Sequence, residues 1–309
     1  MCRGAPHNAV PFCLYNFIRI GPQSTPRSQR SFRETISERC VLCELRSEVH
    51  FSLMRVDLNA DVGESFGAYS IGHDRGLMKV ITSASIAAGF HGGDPSVLRN
   101  TIRLARASGV AIGAHPGFPD LVGFGRRDMH LNPRDVEDLV LYQVAAVAGV
   151  ASTEGMRLQH VKPHGALFNM AVRDADLASA IARAVVAFDR ELILFGAPDS
   201  ELTRAGNAAG LRVAAEGFAD RAYEPDGSLV SRSKPGAVIH DVDAVVKRAV
   251  QLVSENTVVA INGSIIHLSV DTICVHSDTD GADILAQRIR EGLEAAGIRV
   301  AALPALGFG

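Results

Sequence analysis

The residues in this chain that could do acid–base or metal chemistry follow a repeated pattern. His, Asp, Glu and Lys end short apolar runs, and Gly- or Pro-rich loops follow them. The six segments with this pattern are 56–64 (VDLNADVGE), 85–95 (SIAAGFHGGDP), 111–120 (AIGAHPGFPD), 160–169 (HVKPHGALFN), 213–221 (VAAEGFADR) and 272–278 (TICVHSD). The pattern predicts that the C-terminal ends of several parallel strands converge on one polar, reactive pocket.

The first two segments carry carboxylates and a histidine beside glycines. Asp61 and Glu64, three residues apart, suit proton transfer or a divalent cation, and Asx-type turn chemistry is the alternative. Asp94 precedes Pro95, and we interpret it as the N-cap of a following helix rather than as a ligand. His91 is interpreted as functional, because it follows a predicted strand and is flanked by glycines.

The third and fourth segments add cationic candidates. His115 is followed by a loop rich in Gly, Pro and Phe, which favours a shaped lid over a passive linker. In that loop Arg126 and Arg127 could bind a carboxylate bidentately or form a solvated surface pair. Lys162, one of four lysines in the chain, precedes His164 by two residues. It could stabilise an oxyanion, with a buried structural Lys–Glu pair as the alternative.

The remaining candidates come from the later segments. Glu216 ends a predicted strand, and Arg221 follows it. His276 could be a general base or form a ligand-binding pair with Asp278, although Asp278 could instead cap the closing helix. Asn169 could orient a ligand or cap a helix. The histidines interpreted as surface or core residues are His73, His130, His160, His240 and His267.

Composition excludes several classes of protein. The chain has 309 residues, of which 47% are hydrophobic, and a net charge of −3. This balance, without a Lys/Arg stripe, argues against a nucleic-acid surface. We expect no apolar run that crosses a membrane, and cysteine usage predicts a reduced, cytoplasmic protein. The sequence contains no familiar phosphate loop, dinucleotide fingerprint or nucleophile elbow, so a nucleotide would be held in another way.

Residues 1–53 differ from the rest of the chain. They contain seven Arg, four Glu, no Asp and no Lys, and they lack helical or strand periodicity. We predict that they are disordered and lie outside the fold, as a start codon placed too far upstream would produce. The CxxC spacing of Cys40 and Cys43 is interpreted as incidental rather than as a zinc site, since no second ligand pair follows. The working chain is then one domain over 54–309.

From residue 54 onward, apolar runs alternate with helical patterns. Strands are predicted at 54–60, 84–90, 110–115, 158–163, 191–197, 211–216 and 270–276, with a short extra run at 257–261. Helices are predicted at 96–108, 134–154, 174–188, 199–209, 241–255 and 280–296. This alternation implies a parallel sheet with right-handed crossovers. Seven or eight such units favour a closed β/α barrel with its active site at the C-terminal ends of the strands.

Six ordered motifs resemble the LamB/YcsF family. They are NADVGE, AAGFHGGDP, GAHPGFPDLVGFGRR, VKPHGALFN, EGFADRAY and ICVHSD. The resemblance implies an irregular TIM-like α/β barrel with about seven parallel strands, similar to the polysaccharide-deacetylase-like fold. It also implies the family's characterised role, the A subunit of bacterial 5-oxoprolinase. That enzyme opens 5-oxo-L-proline to L-glutamate with ATP, for which Mg²⁺ is expected, and works with subunits B and C.

The resemblance also implies roles for single residues. The reacting centre is expected to contain Asp61, Glu64, His91, His115, Lys162, His164 and His276. Substrate binding is expected from Asn59, Arg127, Asn169, Glu216, Arg221 and Asp278. Arg127, with Arg221 as second choice, would hold the substrate carboxylate, and His164 or His276 would be the general base. The alternatives are a stand-alone metal-dependent deacetylase or amidase, with Asp61, His91 and His115 as metal ligands, and a non-catalytic component that only binds the ligand.

Overall fold

A computed structural model describes residues 54–303, so Cys40, Cys43 and the predicted extension lie outside the described residues. The strands in this range are β1 (Arg55–Val62), β2 (Ser83–Ala87), β3 (Ala111–His115), β4 (Leu158–Val161), β5 (Ile193–Gly196), β6 (Arg212–Phe218), β7 (Thr257–Val259), β8 (Ile265–His267), β9 (Thr272–His276) and β10 (Arg299–Val300). The helices are α1 (Asp74–Leu77), α2 (Pro95–Ser108), α3 (Pro133–Thr153), α4 (Gly165–Ala171), α5 (Ala175–Phe188), α6 (Glu201–Ala208), α7 (Val242–Glu255) and α8 (Ala282–Ala295).

Seven parallel strands of the described chain close into a barrel. The order is β1-β2-β3-β4-β5-β6-β9, and β9 pairs again with β1. This confirms the predicted α/β barrel. The short β10 pairs with the first residues of β1, whereas β7 and β8 form an antiparallel hairpin outside the barrel. The extra run predicted at 257–261 is therefore a strand, although the barrel closes without it.

The predicted elements differ from the observed ones mainly at the strand ends. The sequence predicts a second strand that reaches residue 90, but β2 ends at Ala87. Gly89 and Gly93 have φ angles of +90° and +79°, which turn the chain into the loop that carries His91. The sequence does not predict helices α1 and α4, because four and seven residues are too few to display a helical period.

The interior of the barrel contains buried polar side chains, which we call the polar column. On β1 its members are Asp57, Asn59 and Asp61. Val56, Leu58 and Ala60 alternate along this strand with Asp57, Asn59 and Asp61, and both sets are buried. The Nδ2 atom of Asn59 donates to Glu216 Oε1 at 3.0 Å, although β6 is not a neighbour of β1 in the sheet. The polar set therefore points across the barrel interior, and the apolar set packs outward against the helical layer.

Asp94 is the N-cap of α2, as the sequence predicts. Its Oδ1 atom accepts hydrogen bonds from the backbone amides of Ser96 at 2.8 Å and Val97 at 2.9 Å. We expect Asp94→Ala to lower the free energy of unfolding by about 1 kcal/mol, the usual cost of losing such a cap. Urea titration would measure this, with Asp176→Ala in the first turn of α5 as a control that changes stability by less than about 0.5 kcal/mol.

Helix α3 is the described helix with a composition closest to that of a membrane span. Its 21 residues include a window of mean hydropathy 1.2, so by length and composition alone it could cross a bilayer. We expect no such run from the sequence. In the structure Val136, Val140 and Val144 are buried in the core of the barrel domain. Core helices of barrel proteins reach the same length and hydropathy, so this helix is weak evidence for a membrane protein.

Candidate functional site

A cavity of about 740 Å³ opens at the C-terminal ends of the barrel strands. The expected site residues that line it are Asp61, His115, Lys162, His164, Asn169, Glu216, Arg221 and His276. They come from β1, β3, β6 and β9 and from the segments that follow β4 and β6. The strand-end pattern in the sequence thus corresponds to one location in space, as expected for a barrel enzyme.

Lys162 is at the centre of this group and is only 3% exposed. Its Nζ atom lies 2.7 Å from Asp61 Oδ1 and 2.8 Å from Glu216 Oε1. It also contacts Asn59 Oδ1 at 3.2 Å and Cys274 Sγ at 3.0 Å. Burial opposes the charge of Lys162, but the neighbouring carboxylates and Cys274 hold its pKa well above the usual value. The buried Lys–Glu pair considered as an alternative is present, and it faces the cavity.

Asp61 and Glu64 follow the same strand but have opposite pKa shifts. Burial would raise the pKa of Asp61, yet His115 and Lys162 hold it well below its usual range. Burial and the nearby Asp61 raise the pKa of Glu64 to about 7. Asp61 is therefore ionised, whereas Glu64 can exchange a proton near neutral pH. Such a division is typical of carboxylates in active sites.

Three histidines surround Glu64 beside the cavity, of which His115 and His164 line it, whereas His91 and Glu64 do not. His91 Nε2 lies 3.3 Å and His164 Nδ1 lies 3.6 Å from Glu64 Oε1, and His115 Nε2 lies 3.0 Å from His164 Nδ1. Burial lowers the pKa of His91 and His164 well below the usual value, which leaves both imidazoles neutral. One ligand atom from each of the four side chains lies within 4.8 Å of the others. The set is a possible buried metal-binding site.

His276 is paired with the carboxylate of Asp220, which is not among the site residues expected from the sequence. Its Nδ1 atom lies 3.1 Å from Asp220 Oδ2, and its ring stacks on Phe218 at 5.5 Å. Burial would raise the pKa of Asp220, but His276 holds it below the usual value. With Nδ1 donating to Asp220, Nε2 is the ring nitrogen that is left to accept a proton. The sequence feature that could have identified Asp220 is its position in the segment 213–221, four residues after Glu216.

Three of the expected substrate-binding residues have other partners. Asp278 accepts a hydrogen bond from Arg126 at 2.6 Å and does not cap α8, whose N-cap is Gly281. Arg127 forms an ion pair with Asp120 beside a shallow groove, away from the large cavity. Asn59 is fully buried beneath the cavity, where it orients Lys162.

Asn169 and Arg221 reach the cavity from two different elements. Asn169 belongs to the interior of α4 and is exposed, so it does not cap a helix. The guanidinium of Arg221 donates to the carbonyl oxygens of Val230 at 2.7 Å and Ala237 at 3.2 Å. Burial and the nearby Arg232 lower the pKa of Arg221 to about 10, so it remains charged at neutral pH.

A closed parallel barrel with a buried lysine, carboxylates and histidines at its strand ends defines an α/β-barrel enzyme. The sequence model of the LamB/YcsF family matches residues 56–307, and the chain belongs to this family. The chain is 52% identical over 255 residues to the A subunit of 5-oxoprolinase from Azoarcus sp. (strain BH72), covering 82% of this chain and 100% of that protein. It is 51% identical over 251 residues to the corresponding protein of Bacillus subtilis (strain 168), covering 81% and 98%.

A solved structure has the same fold. The lactam utilization protein from Thermus thermophilus superposes with a TM-score of 0.77 at 48% sequence identity. The match covers 81% of this chain and 100% of that protein. The barrel described above is therefore the architecture of an experimentally determined relative.

Proposed function

We propose that this chain is the A subunit of a 5-oxoprolinase, which opens the lactam of 5-oxo-L-proline to L-glutamate with hydrolysis of ATP. The observation that carries this proposal is the Lys162–Asp61–Glu216 cluster at the base of the cavity. Relatives named as the A subunit of 5-oxoprolinase, which match nearly their full length, support it. A lactam is a stabilised amide, so its carbonyl must be activated before water can attack.

Water activation is assigned to His276. Its Nδ1 atom is bonded to Asp220, so Nε2 can take a proton from water as a general base. His164 is less suited to this role. Its Nε2 atom donates to the carbonyl oxygen of Phe124 at 2.8 Å, and its Nδ1 atom faces His115. Of the two general bases expected from the sequence, the geometry favours His276.

Glu216 is assigned to the ring nitrogen of the substrate. Its Oε1 atom contacts Lys162 and Asn59, whereas Oε2 is buried without a hydrogen-bond partner among the described residues. A buried carboxylate oxygen without a donor is costly, and the lactam N–H would satisfy it. Lys162, with His115, keeps Asp61 ionised, and it supplies positive charge near the developing oxyanion.

ATP, accompanied by Mg²⁺, is assigned as co-substrate that phosphorylates the carbonyl oxygen of the lactam. Subunits B and C are assigned as partners in this phosphorylation. The outer wall of the cavity carries Arg173, Arg232 and Lys234, which fit phosphate oxygens. The volume of about 740 Å³ exceeds the needs of 5-oxoproline alone and is within the range of small-molecule pockets. A cytoplasmic location fits the one described cysteine, Cys274, which is free and buried.

Two adjacent arginines offer a matched test of carboxylate binding. Each is paired with an aspartate, but Arg126 lines the large cavity beside Asp278, whereas Arg127 lines the shallow groove with Asp120. We expect Arg126→Ala to raise KM for 5-oxoproline about 10- to 100-fold, the cost of one charged hydrogen bond. Arg127→Ala should leave KM within about twofold. Steady-state kinetics of the assembled enzyme would measure both, and equal effects would assign the carboxylate to another group.

The decisive experiment is glutamate release from 5-oxoproline, with and without ATP, by the chain alone and by the chain with subunits B and C. Release that requires both ATP and the partners is the expected result. ATP-independent release by the chain alone would identify a stand-alone amidase, the alternative that the histidine–glutamate set favours. Binding of 5-oxoproline with no effect of site variants on turnover would identify a non-catalytic, ligand-binding component of the complex.

A further inference from the structure

The tautomers of His115 and His164 are fixed by backbone carbonyl groups. His115 Nδ1 lies 2.6 Å from the carbonyl oxygen of Lys162, and His164 Nε2 lies 2.8 Å from that of Phe124. A carbonyl oxygen only accepts, so these two nitrogens carry the ring protons. Where neither ring carries a second proton, the lone pairs of His115 Nε2 and His164 Nδ1 face each other across 3.0 Å. Such an arrangement is repulsive unless a cation lies between the nitrogens.

The surroundings of the two lone pairs match those of a transition-metal site. Zinc binds imidazole nitrogens at about 2.0–2.1 Å, so one ion can reach both nitrogens, which are 3.0 Å apart, if it lies to one side of the line that joins them. The ring planes are almost perpendicular, at 88°, and both lone pairs can point at one ion. Histidines that bind metals usually donate their second N–H to a carbonyl or carboxylate oxygen, as both do here. Glu64 Oε1, 3.6 Å from His164 Nδ1, adds an oxygen ligand atom.

His91 lies beside this set in a different role. Its ring is stacked on that of His164, with centroids 3.7 Å apart and planes within 3° of parallel. A metal ion lies in the plane of the imidazole that binds it, so one ion cannot lie in both parallel planes. His91 Nε2 instead lies within 3.3 Å of Glu64 Oε1, where it can donate and orient the carboxylate. His91 is thus a positioning residue.

We propose that His115, His164 and Glu64 bind one divalent transition-metal ion of the zinc class in the cavity wall. Two nitrogens and one oxygen suit zinc or its neighbours better than Mg²⁺ or Ca²⁺, which prefer oxygen ligands. Three protein ligands leave a coordination position open, as in catalytic zinc sites. His115 and His164 line the cavity, so that position is on the side of the substrate. Metal binding at this place does not depend on the proposed oxoprolinase activity.

A second possible set, Asp61, Cys274 and His276, is less suitable. The ammonium group of Lys162 already lies 2.7 Å from Asp61 Oδ1 and 3.0 Å from Cys274 Sγ. A divalent cation there would face a buried positive charge at contact distance. The metal set therefore differs from the one expected from the sequence: Asp61 is occupied by Lys162, and Glu64 and His164 join His115.

Metal analysis of the full chain, purified without chelators, tests the proposal directly. We expect elemental mass spectrometry to find about one zinc-class ion per chain. When Co²⁺ is bound instead, we expect the visible absorption band that is typical of a low-symmetry coordination site. After removal of the metal, titration with Zn²⁺ should raise the Tm. Glu64→Gln and His164→Asn should weaken Zn²⁺ binding at least about 100-fold, since each removes a ligand.

Two further variants distinguish the proposed metal ligands from other buried histidines. His91→Asn should weaken Zn²⁺ binding about 10- to 100-fold, as expected for a residue that orients a ligand. His160→Asn is the matched control, because His160 is equally buried but bonds Ser85 at 3.1 Å. It should leave the affinity unchanged. If the purified chain holds no metal and binds no Zn²⁺, the proposal is overturned. The contact between His115 Nε2 and His164 Nδ1 would then be a hydrogen bond through a shared proton.

Discussion

Lys162→Met should lower kcat of the assembled enzyme about 10²–10³-fold, the usual effect of removing a group that stabilises a developing oxyanion. Methionine has a similar length, but it carries no charge. Asp61 and Glu216 would lose the ammonium that lies 2.7 and 2.8 Å from them. Glutamate release at saturating 5-oxoproline and ATP measures the effect.

Lys162→Met should also lower the free energy of unfolding, and this effect must be distinguished from its effect on kcat. Removing one partner of a buried ion pair costs about 3–5 kcal/mol, because the other charge remains buried without compensation. In the double variant Lys162→Met/Glu216→Gln, one of the two carboxylates that lose their ammonium partner is also replaced. We therefore expect it to regain part of the lost stability without regaining activity. Recovery of kcat together with stability would assign Lys162 a purely structural role.

Asp61→Asn should lower kcat about 10²–10³-fold, because it removes the carboxylate that holds Lys162 beside the developing oxyanion. The amide keeps the size of the side chain but removes the charge that the site maintains by holding the pKa of Asp61 well below its usual range. Asp61 Oδ1 lies 2.7 Å from Lys162 Nζ and 3.4 Å from His115 Nε2, so the substitution affects both. Pre-steady-state measurement of glutamate formation would locate the loss in the chemical step.

Asp57→Asn is the matched control for that experiment. Asp57 lies on the same strand and the same face as Asp61, but at the opposite end of the polar column, where it accepts from Ser83 at 2.6 Å and Thr272 at 2.6 Å. We expect Asp57→Asn to lower the free energy of unfolding while kcat stays within about threefold, because the hydrogen bonds that are lost come from Ser83 and Thr272, neither of which lines the cavity. A large loss of kcat in both variants would point to a general weakening of the barrel.

The sequence predicts the barrel well because its signals are local. Each strand is a short apolar run, and helix starts such as Asp94-Pro95 and Asn132-Pro133 are marked by caps that the structure contains. Lys162 could be selected because lysine is scarce in this chain. Its position at a strand end then placed it in the cavity.

The pairings inside the site could not be predicted in the same way. His276 bonds Asp220, which lies 56 residues earlier in the chain, and only the closed barrel brings them together. The directions of Arg126 and Arg127 also depend on the loop backbone. Phe124 and Gly125 have positive φ angles of 54° and 63°, so the chain leaves the regular alternation just before the two arginines. Sequence spacing does not reveal such a turn.

The polar column has a consequence for how the chain reaches its native state. Asp57 on the first barrel strand is hydrogen-bonded by Thr272 on the last one, 215 residues later. During synthesis β1 therefore leaves the ribosome long before Thr272, one of the hydroxyl donors to its buried carboxylate, has been made. High contact order of this kind slows folding and prolongs the life of open, aggregation-prone intermediates. A nascent chain of this protein cannot complete its interior one half at a time, and closure must wait for nearly the whole chain.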